Sequence, residues 1–341
     1  MEPPRGDAKS ISGLRHLFLS ERTKETAPYL LLFALNLLLF LLFYGKFGDI
    51  LIDSSREATV PWRILHGQVP YRDFQYEYGP FSAYLFALLY KLFGVHLAVL
   101  QGTGLAVSVL VSGLIHRLCR IFIERTPSLL ASVFFVFVFA FQHYFPNNNF
   151  NFIFPYSYSA TFGIFFLLTL ALTAHRMTIE KTARGPILMG FLVSLTFLTK
   201  IEIAAAATVF VTLFFSLPPA ASSPRRKDRI LFLSALFFPL VPVALYFSAK
   251  TDLAAYLRDE IFHLALRGVQ TPLARRFLGT DRPVAHVFEI LLVCLQYALF
   301  VLFCSLLDRL LERWARHPSR GTGLFLRGTC FLLAAGAAYG T

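Results

Sequence analysis

The apolar residues of this chain are gathered into repeated blocks of roughly 17 to 24 residues, the length at which an α-helix crosses a bilayer. The chain is 56% hydrophobic and 15% charged, with a mean hydropathy of +0.60, which excludes an ordinary soluble domain and a disordered one. We therefore predict an all-α, multi-pass integral membrane protein with about nine transmembrane helices. The predicted spans are Ala27–Tyr44, Val95–Ile115, Pro127–Phe145, Ser157–Ala174, Pro186–Thr199, Ile201–Leu217, Ile230–Ser248, Val284–Leu307 and Thr322–Gly340.

Two shorter helices are predicted between the first two spans. The apolar block Pro80–Phe93 would extend about 21 Å, which is less than the roughly 30 Å of the hydrocarbon core. It begins with a proline and stops at Gly94, which predicts a complete short helix. Because it is too short to span, we predict that this helix lies at the membrane interface. A second interfacial helix is predicted to start near Ser54, because Ser54 and Glu57 have the spacing of a capping box.

The basic residues predict how the chain is oriented. Of the 32 Lys and Arg residues, 19 lie in short segments on the same side of the membrane as the N-terminus. The positive-inside rule places such segments in the cytoplasm. We therefore expect one transmembrane domain, 1–341, with a cytoplasmic leader (1–26) and periplasmic loops at 45–94 and 249–283. The basic segments on the cytoplasmic side account for the net charge of +12, so no nucleic-acid partner is expected.

Lys200 is the first candidate for chemistry. It interrupts a long apolar stretch whose two ends carry basic loops, so we predict that it marks the outer tip of a helical hairpin. An ionisable group between two apolar arms is costly unless it is paired or hydrated. One reading is that Lys200 binds an anion such as a lipid phosphate, and the other is that Glu202 is its structural partner. His263 and Arg267, in the third outer loop, are predicted to join the same phosphate site.

Asp53 is the second candidate. It directly precedes the predicted helix start, where exposed backbone N–H groups keep a carboxylate ionised and fixed. We predict that Asp53 is a catalytic base, although it could simply cap the helix. Asp49, near the end of the first span, is the second choice for the base.

The same loop holds further residues that could orient a substrate. Glu57 could instead have a purely structural role. Arg72 and Asp73 could instead form a local ion pair that contributes little to stability. The tyrosines could either anchor the interface or stack on a sugar. The predicted substrate-orienting residues are Arg56, Glu57, Tyr71, Arg72, Asp73, Glu77 and Tyr78.

Several kinds of chemistry lack their sequence signatures. The chain has no P-loop, no dinucleotide-binding glycine pattern and no HExxH. The outer loops contain no Asp-x-Asp pair, and the histidines and the four cysteines have no metal-ligand spacing. We therefore predict no cofactor and argue for no metal site, while leaving a divalent metal open.

The first outer loop resembles that of the bacterial GT-C glycosyltransferases, which include relatives of the protein O-mannosyltransferases and of the lipid A aminoarabinose transferase. The resemblance lies in Asp53-x-x-Arg56-Glu57, in Gly67-x-x-Pro70-Tyr71-Arg72-Asp73-Phe74 and in Tyr78-Gly79-Pro80. The tip Phe197-Leu-Thr-Lys200 and the order of the spans are also similar, so the resemblance covers nearly the whole chain.

This resemblance implies a function and a location. Such enzymes move a sugar from a polyprenyl-phosphate carrier to an acceptor at the outer face of the bacterial inner membrane. The family's catalytic carboxylate would be Asp53 and its phosphate-contacting lysine would be Lys200. Many members carry a second acidic residue in the second outer loop, where this chain has Asn147, Asn148, Asn149 and Asn151 with Tyr156 and Tyr158. Members also commonly extend further, so we expect a fragment or a short member.

Two other classes of function remain open at this level. A multi-pass transporter or a lipid flippase for a polyprenyl-linked or anionic substrate would show internal repeats and broken helices near the midplane. No clear repeat is present, and the polar residues concentrate at the outer face. An inactive membrane scaffold would leave Asp53 and Lys200 without a role.

Overall fold

The computed structural model describes residues 8–47, 54–142, 151–179, 184–216, 226–257, 282–289 and residues 291, 292, 295, 296 and 299. The chain divides into two compact units, Met1–Glu260 and Ile261–Thr341. In the second unit, residues 283–289 are helical. All elements discussed below belong to the first unit.

The described part of the first unit is built from helices, with a single isolated bridge between Pro70 and Phe74. A π-helical turn, Val136–Ala140, continues the helix Arg125–Phe135. The helices are α1 Ala8–Leu42, α2 Ser54–Leu65, α3 Pro80–Phe93, α4 Leu97–Cys119, α5 Arg125–Phe135, α6 Tyr158–Ile179, α7 Arg184–Phe197, α8 Ile201–Ser216, α9 Arg226–Lys250 and α10 Leu253–Leu257.

Among the described residues, four helices are long and apolar enough to cross a membrane: the part Glu25–Leu42 of α1, together with α4, α6 and α9. The predicted all-α architecture is confirmed for the described residues, and these four helices agree with the predicted membrane protein, whereas the number of nine spans stays a prediction. The apolar helices α3, α7, α8 and the helix Arg125–Ala140 are shorter. The predicted span Val284–Leu307 lies mostly outside the described residues, and Thr322–Gly340 lies wholly outside them.

Helix α3 has the predicted bounds. It starts at Pro80, where the missing N–H is not needed, and it ends at Gly94, whose φ of 88° is readily available only to glycine. The N–H of Gly94 donates to the carbonyl of Tyr90 and closes the last turn.

Glycines allow two close approaches in the bundle. A Cβ on Gly190 in α7 would lie 2.2 Å from the carbonyl oxygen of Phe232 in α9, and one on Gly104 in α4 would lie 2.2 Å from that of Ile153, in the segment before α6. Small residues at such positions let apolar helices pack by van der Waals contact, which drives helix association in lipid.

A buried polar cluster joins α1 to α4. The Ser108 hydroxyl donates to Asn36 Oδ1 at 2.5 Å, and the Asn36 amide donates to Ser112 Oγ at 3.5 Å and to the Leu32 carbonyl at 2.8 Å. These side chains are buried. Interhelical hydrogen bonds of this kind fix the register of neighbouring apolar helices.

Candidate functional site

Helix α2 brings Arg56 and Glu57 to the centre of a polar cluster. The helix begins at Ser54, as the sequence predicts, but the Ser54 hydroxyl does not make the hydrogen bond of a capping box. Ser54 is the first helical residue, and its buried hydroxyl has no hydrogen-bond partner among the described residues. The Glu57 carboxylate instead accepts the backbone N–H of Tyr158 at 3.1 Å, where α6 begins. Asp53, one residue before α2, lies outside the described residues.

Glu57 is a buried carboxylate with only 4% of its surface exposed. Burial raises the pKa of Glu57 to about 7, and this rise is opposed by Arg56 and by the N–H of Tyr158. The Arg56 Nε lies 3.5 Å from Glu57 Oε1. Glu57 therefore changes charge near neutral pH, and its carboxylate links α2 to α6.

Arg56 connects three segments of the chain. Its guanidinium donates to the Tyr78 hydroxyl at 3.1 Å and to the Tyr156 carbonyl at 2.8 Å, and it lies 3.6 Å from a carboxylate oxygen of Glu77. It also stacks over the Tyr78 ring at 4.8 Å. Burial lowers the pKa of Arg56, but Tyr78, Glu57 and Glu77 outweigh it and leave the pKa raised, so the guanidinium stays charged.

The start of α3 pairs with the connection between α7 and α8. The N–H of Gly79 donates to the Thr199 carbonyl at 2.8 Å, and the N–H of Phe81 donates to the Leu198 carbonyl at 2.9 Å. A Cβ on Gly79 would lie 2.3 Å from the Leu198 carbonyl carbon, so only glycine allows this approach. The pairing sets Tyr78 beside Lys200.

Lys200 lies at the break between two apolar helices, as predicted. Its ammonium donates to the Tyr156 hydroxyl at 3.1 Å and lies over the rings of Tyr156 and Tyr78, at 5.5 and 5.7 Å. Glu202 is also close, with a carboxylate oxygen 3.9 Å from the ammonium. The pairing with Glu202 that the sequence left open is present, and it coexists with the two aromatic contacts.

Tyr71, Arg72 and Asp73 form a turn beside this cluster. Tyr71 has a φ of 66°, which is uncommon for a non-glycine residue, and its hydroxyl donates to the Tyr78 carbonyl at 2.5 Å. The exposed Arg72 guanidinium bonds Asp73 and, at 3.3 Å, the Lys250 carbonyl at the end of α9. The hydrogen bond from Arg72 lowers the pKa of Asp73 to about 2. The local ion pair is therefore present, and it lies towards α9.

An apolar groove of about 530 Å³ opens next to the polar cluster. It lies between α3 and α9, and its walls include Leu198, two residues before Lys200, and Pro80, two residues after Tyr78. Its lining residues are Pro80, Phe81, Tyr84, Leu85, Leu88, Leu198, Pro242, Val243, Tyr246 and Phe247.

The structure brings most of the described candidate residues into one region. Arg56, Glu57, Glu77, Tyr78 and Lys200 share a network of contacts, and Tyr71 supports it from the side. Asp49, Asp53, His263 and Arg267 lie outside the described residues. The described residues contain no group of three His, Cys, Asp or Glu side chains that could hold a metal ion.

Tyr156 is the residue of this cluster to which the sequence assigned no role. Its carbonyl accepts from Arg56 and its hydroxyl accepts from Lys200, so it touches both cations. The available signal was its position directly before the predicted span Ser157–Ala174, in the second outer loop.

Comparisons of the chain with protein-family models, with curated proteins and with solved structures give no match. The resemblance to GT-C glycosyltransferases therefore stays a prediction from the motifs of the first outer loop.

Proposed function

We propose that this chain is a membrane glycosyltransferase that moves a sugar from a polyprenyl-phosphate donor to an acceptor hydroxyl at the periplasmic face of a bacterial inner membrane. The observation that carries the proposal is a cation next to an apolar groove. Lys200 follows Leu198 by two positions in the sequence, and Leu198 forms part of the wall of the groove that runs along α3 and α9. A polyprenyl phosphate has the matching chemistry, with one anionic group on a long apolar chain.

The proposed reaction is a direct displacement at the anomeric carbon. Asp53 takes the proton of the acceptor hydroxyl as the new carbon–oxygen bond forms, and the bond between the sugar and the phosphate breaks. Lys200 stabilises the negative charge that grows on the leaving phosphate. Arg267 and His263 are proposed to contribute to the same phosphate site. Attack opposite the leaving group inverts the anomeric centre.

Asp53→Asn tests the chemical step. We expect a loss of transfer of about 100-fold or more, because the amide cannot accept the proton, with the protein still folded and inserted. The assay follows a radiolabelled sugar from a panel of polyprenyl-phosphate donors in proteoliposomes. Asp49→Asn is the matched variant and should retain transfer. Near-normal transfer by Asp53→Asn would remove Asp53 from its role.

Lys200→Ala tests the proposed phosphate site. We expect weaker binding of polyprenyl monophosphate, because one charge-assisted contact is lost, and a lower kcat, because the charge that grows on the leaving phosphate loses its stabilising cation. Unchanged donor binding would rule out Lys200 as the phosphate ligand. A flippase, by contrast, would move polyprenyl phosphate between the leaflets of the same proteoliposomes without transferring any sugar.

A further inference from the structure

Arg56 reaches Lys200 through two tyrosines. It donates to the Tyr156 carbonyl, and the hydroxyl of that same residue accepts from Lys200. It also donates to the Tyr78 hydroxyl, and the Tyr78 ring lies under both cations, at 4.8 Å from Arg56 and 5.7 Å from Lys200. The two tyrosines that contact the Lys200 ammonium, to which Glu202 also lies close, are therefore both contacted by one guanidinium.

Arginine has the geometry that this arrangement needs. Its planar guanidinium presents several donors in fixed directions, so one side chain can hold a hydroxyl and a carbonyl from separate segments. The Arg56 side chain is 28% exposed, and Glu57 and Glu77 flank it with carboxylates. Because these carboxylates repel a further anion, the guanidinium is a poor anion-binding site. The same carboxylates hold the guanidinium in place.

We propose that Arg56 is a positioning residue, which sets the Lys200 ammonium through Tyr78 and Tyr156 and is itself held by Glu57. The contacts from Arg56 through the two tyrosines to Lys200 are present in the folded chain whatever its function. The effect of Arg56 on phosphate binding rests on the proposed function. The competing arrangement is that Arg56 contacts the phosphate directly.

The first experiment needs no substrate. Lys200 is 18% exposed, so its acylation by a water-soluble reagent should be slow in detergent micelles. In Arg56→Lys the charge stays but the fork of donors is lost, and we expect Lys200 to react at least about 3-fold faster as its tyrosine contacts loosen. Peptide mass spectrometry measures the rate against Lys91, which is exposed on α3.

Arg63→Lys is the matched control. Arg63 is also on α2, donates to Gln68 at 2.6 Å and stacks over Phe74 at 4.3 Å. Its replacement should leave the Lys200 rate unchanged. Should Arg56→Lys fail to fold, Tyr78→Phe removes the hydroxyl that receives Arg56 and keeps the ring, and the same acceleration is expected. An unchanged or slower Lys200 rate in the folded variant would overturn the proposal.

A double-mutant cycle separates positioning from direct contact. We expect Arg56→Lys to weaken the binding of polyprenyl monophosphate in phosphatidylcholine nanodiscs about 10-fold in the wild-type background. In the Lys200→Ala background the further loss should be less than 2-fold, since Arg56 then has nothing left to position. Additive losses would show that Arg56 contacts the phosphate itself and would contradict the proposal.

The two experiments fail in different ways. If polyprenyl monophosphate does not bind the wild-type protein, the proposed function loses its donor, while the Lys200 acylation rates still decide whether Arg56 positions the ammonium. If the lipid binds but the acylation rates do not change, the positioning role is wrong and the proposed function is unaffected.

Discussion

The protonation of the Glu57 carboxylate is set by its buried surroundings. It is buried, and its carboxylate is satisfied by Arg56 and by the N–H of Tyr158. Loss of water raises its pKa to about 7 because these partners only partly compensate for desolvation. The sequence predicted a helix-start residue that could also orient substrate, and the fold makes it a link between α2 and α6.

Glu57 should make the stability of the protein depend on pH. The native state keeps a proton up to about pH 7, whereas the unfolded chain loses it near pH 4.5, so the free energy of unfolding falls as pH rises between these values. The expected fall is on the order of 3 kcal/mol. Glu57→Gln should abolish it, as measured by denaturation in detergent micelles from pH 5 to 8.

Asp73→Asn is the contrasting variant for this experiment. Because Arg72 holds the pKa of Asp73 at about 2, its contribution to stability is present above pH 4 and is lost as pH falls towards 2. This variant should keep the wild-type profile from pH 5 to 8. A Glu57→Gln profile parallel to that of the wild type would show that Glu57 does not titrate in this range.

At the scale of elements, the docking of α3 against the connection between α7 and α8 builds the site. Two backbone hydrogen bonds, from Gly79 and from Phe81, hold these segments together and leave Tyr78 facing Lys200. The groove and the polar cluster share these two segments, so one docking event forms both. The hydrogen bonds of Asn36 with Ser108 and Ser112 join α1 to α4 and are not part of this site.

Gly79→Ala should break this docking. The new methyl group would lie 2.3 Å from the Leu198 backbone, which cannot move away without losing the paired hydrogen bonds. We expect a loss of about 2 kcal/mol or more of stability and weaker binding at the proposed phosphate site. Gly102→Ala in α4 is the control, because a Cβ there meets nothing within 4 Å, and it should be neutral or slightly stabilising. Equal unfolding midpoints for the two variants would contradict the docking argument.

For the whole molecule, the proposed function requires the cluster to face the side of the membrane opposite the basic loops. We expect a single cysteine introduced as Arg72→Cys, in a background without native cysteines, to react with a membrane-impermeant maleimide on intact bacterial spheroplasts. Arg120→Cys, at the end of α4, should react only after lysis, because the positive-inside rule places it in the cytoplasm. Both arginines are exposed, so accessibility within the fold does not bias the comparison. The reverse labelling pattern would invert the predicted topology.

Signals that act over short stretches of chain made parts of this protein predictable. Proline at the start and glycine after the end bounded α3, and one lysine in an apolar stretch marked the break between α7 and α8. The apolar blocks predicted α1, α4, α6 and α9, because burial in lipid requires a helix of a set length whatever it packs against.

Contacts across the chain were decided only by the tertiary structure. The bond from Arg56 to Tyr156 and the bond from Tyr158 to Glu57 join residues 100 and 101 positions apart. From the sequence, a tyrosine directly before a span, such as Tyr156, is typical of an interfacial anchor. In the fold, its carbonyl accepts a hydrogen bond from Arg56 and its hydroxyl accepts one from Lys200. The sequence by itself determined that the chain is helical, that four of its described helices are long and apolar enough to cross a membrane, and that Lys200 lies at a helix break. The packing of α2, α3 and α6 around that break decided which side chains surround the lysine, because hydrogen bonds between distant segments leave no periodic trace in the sequence.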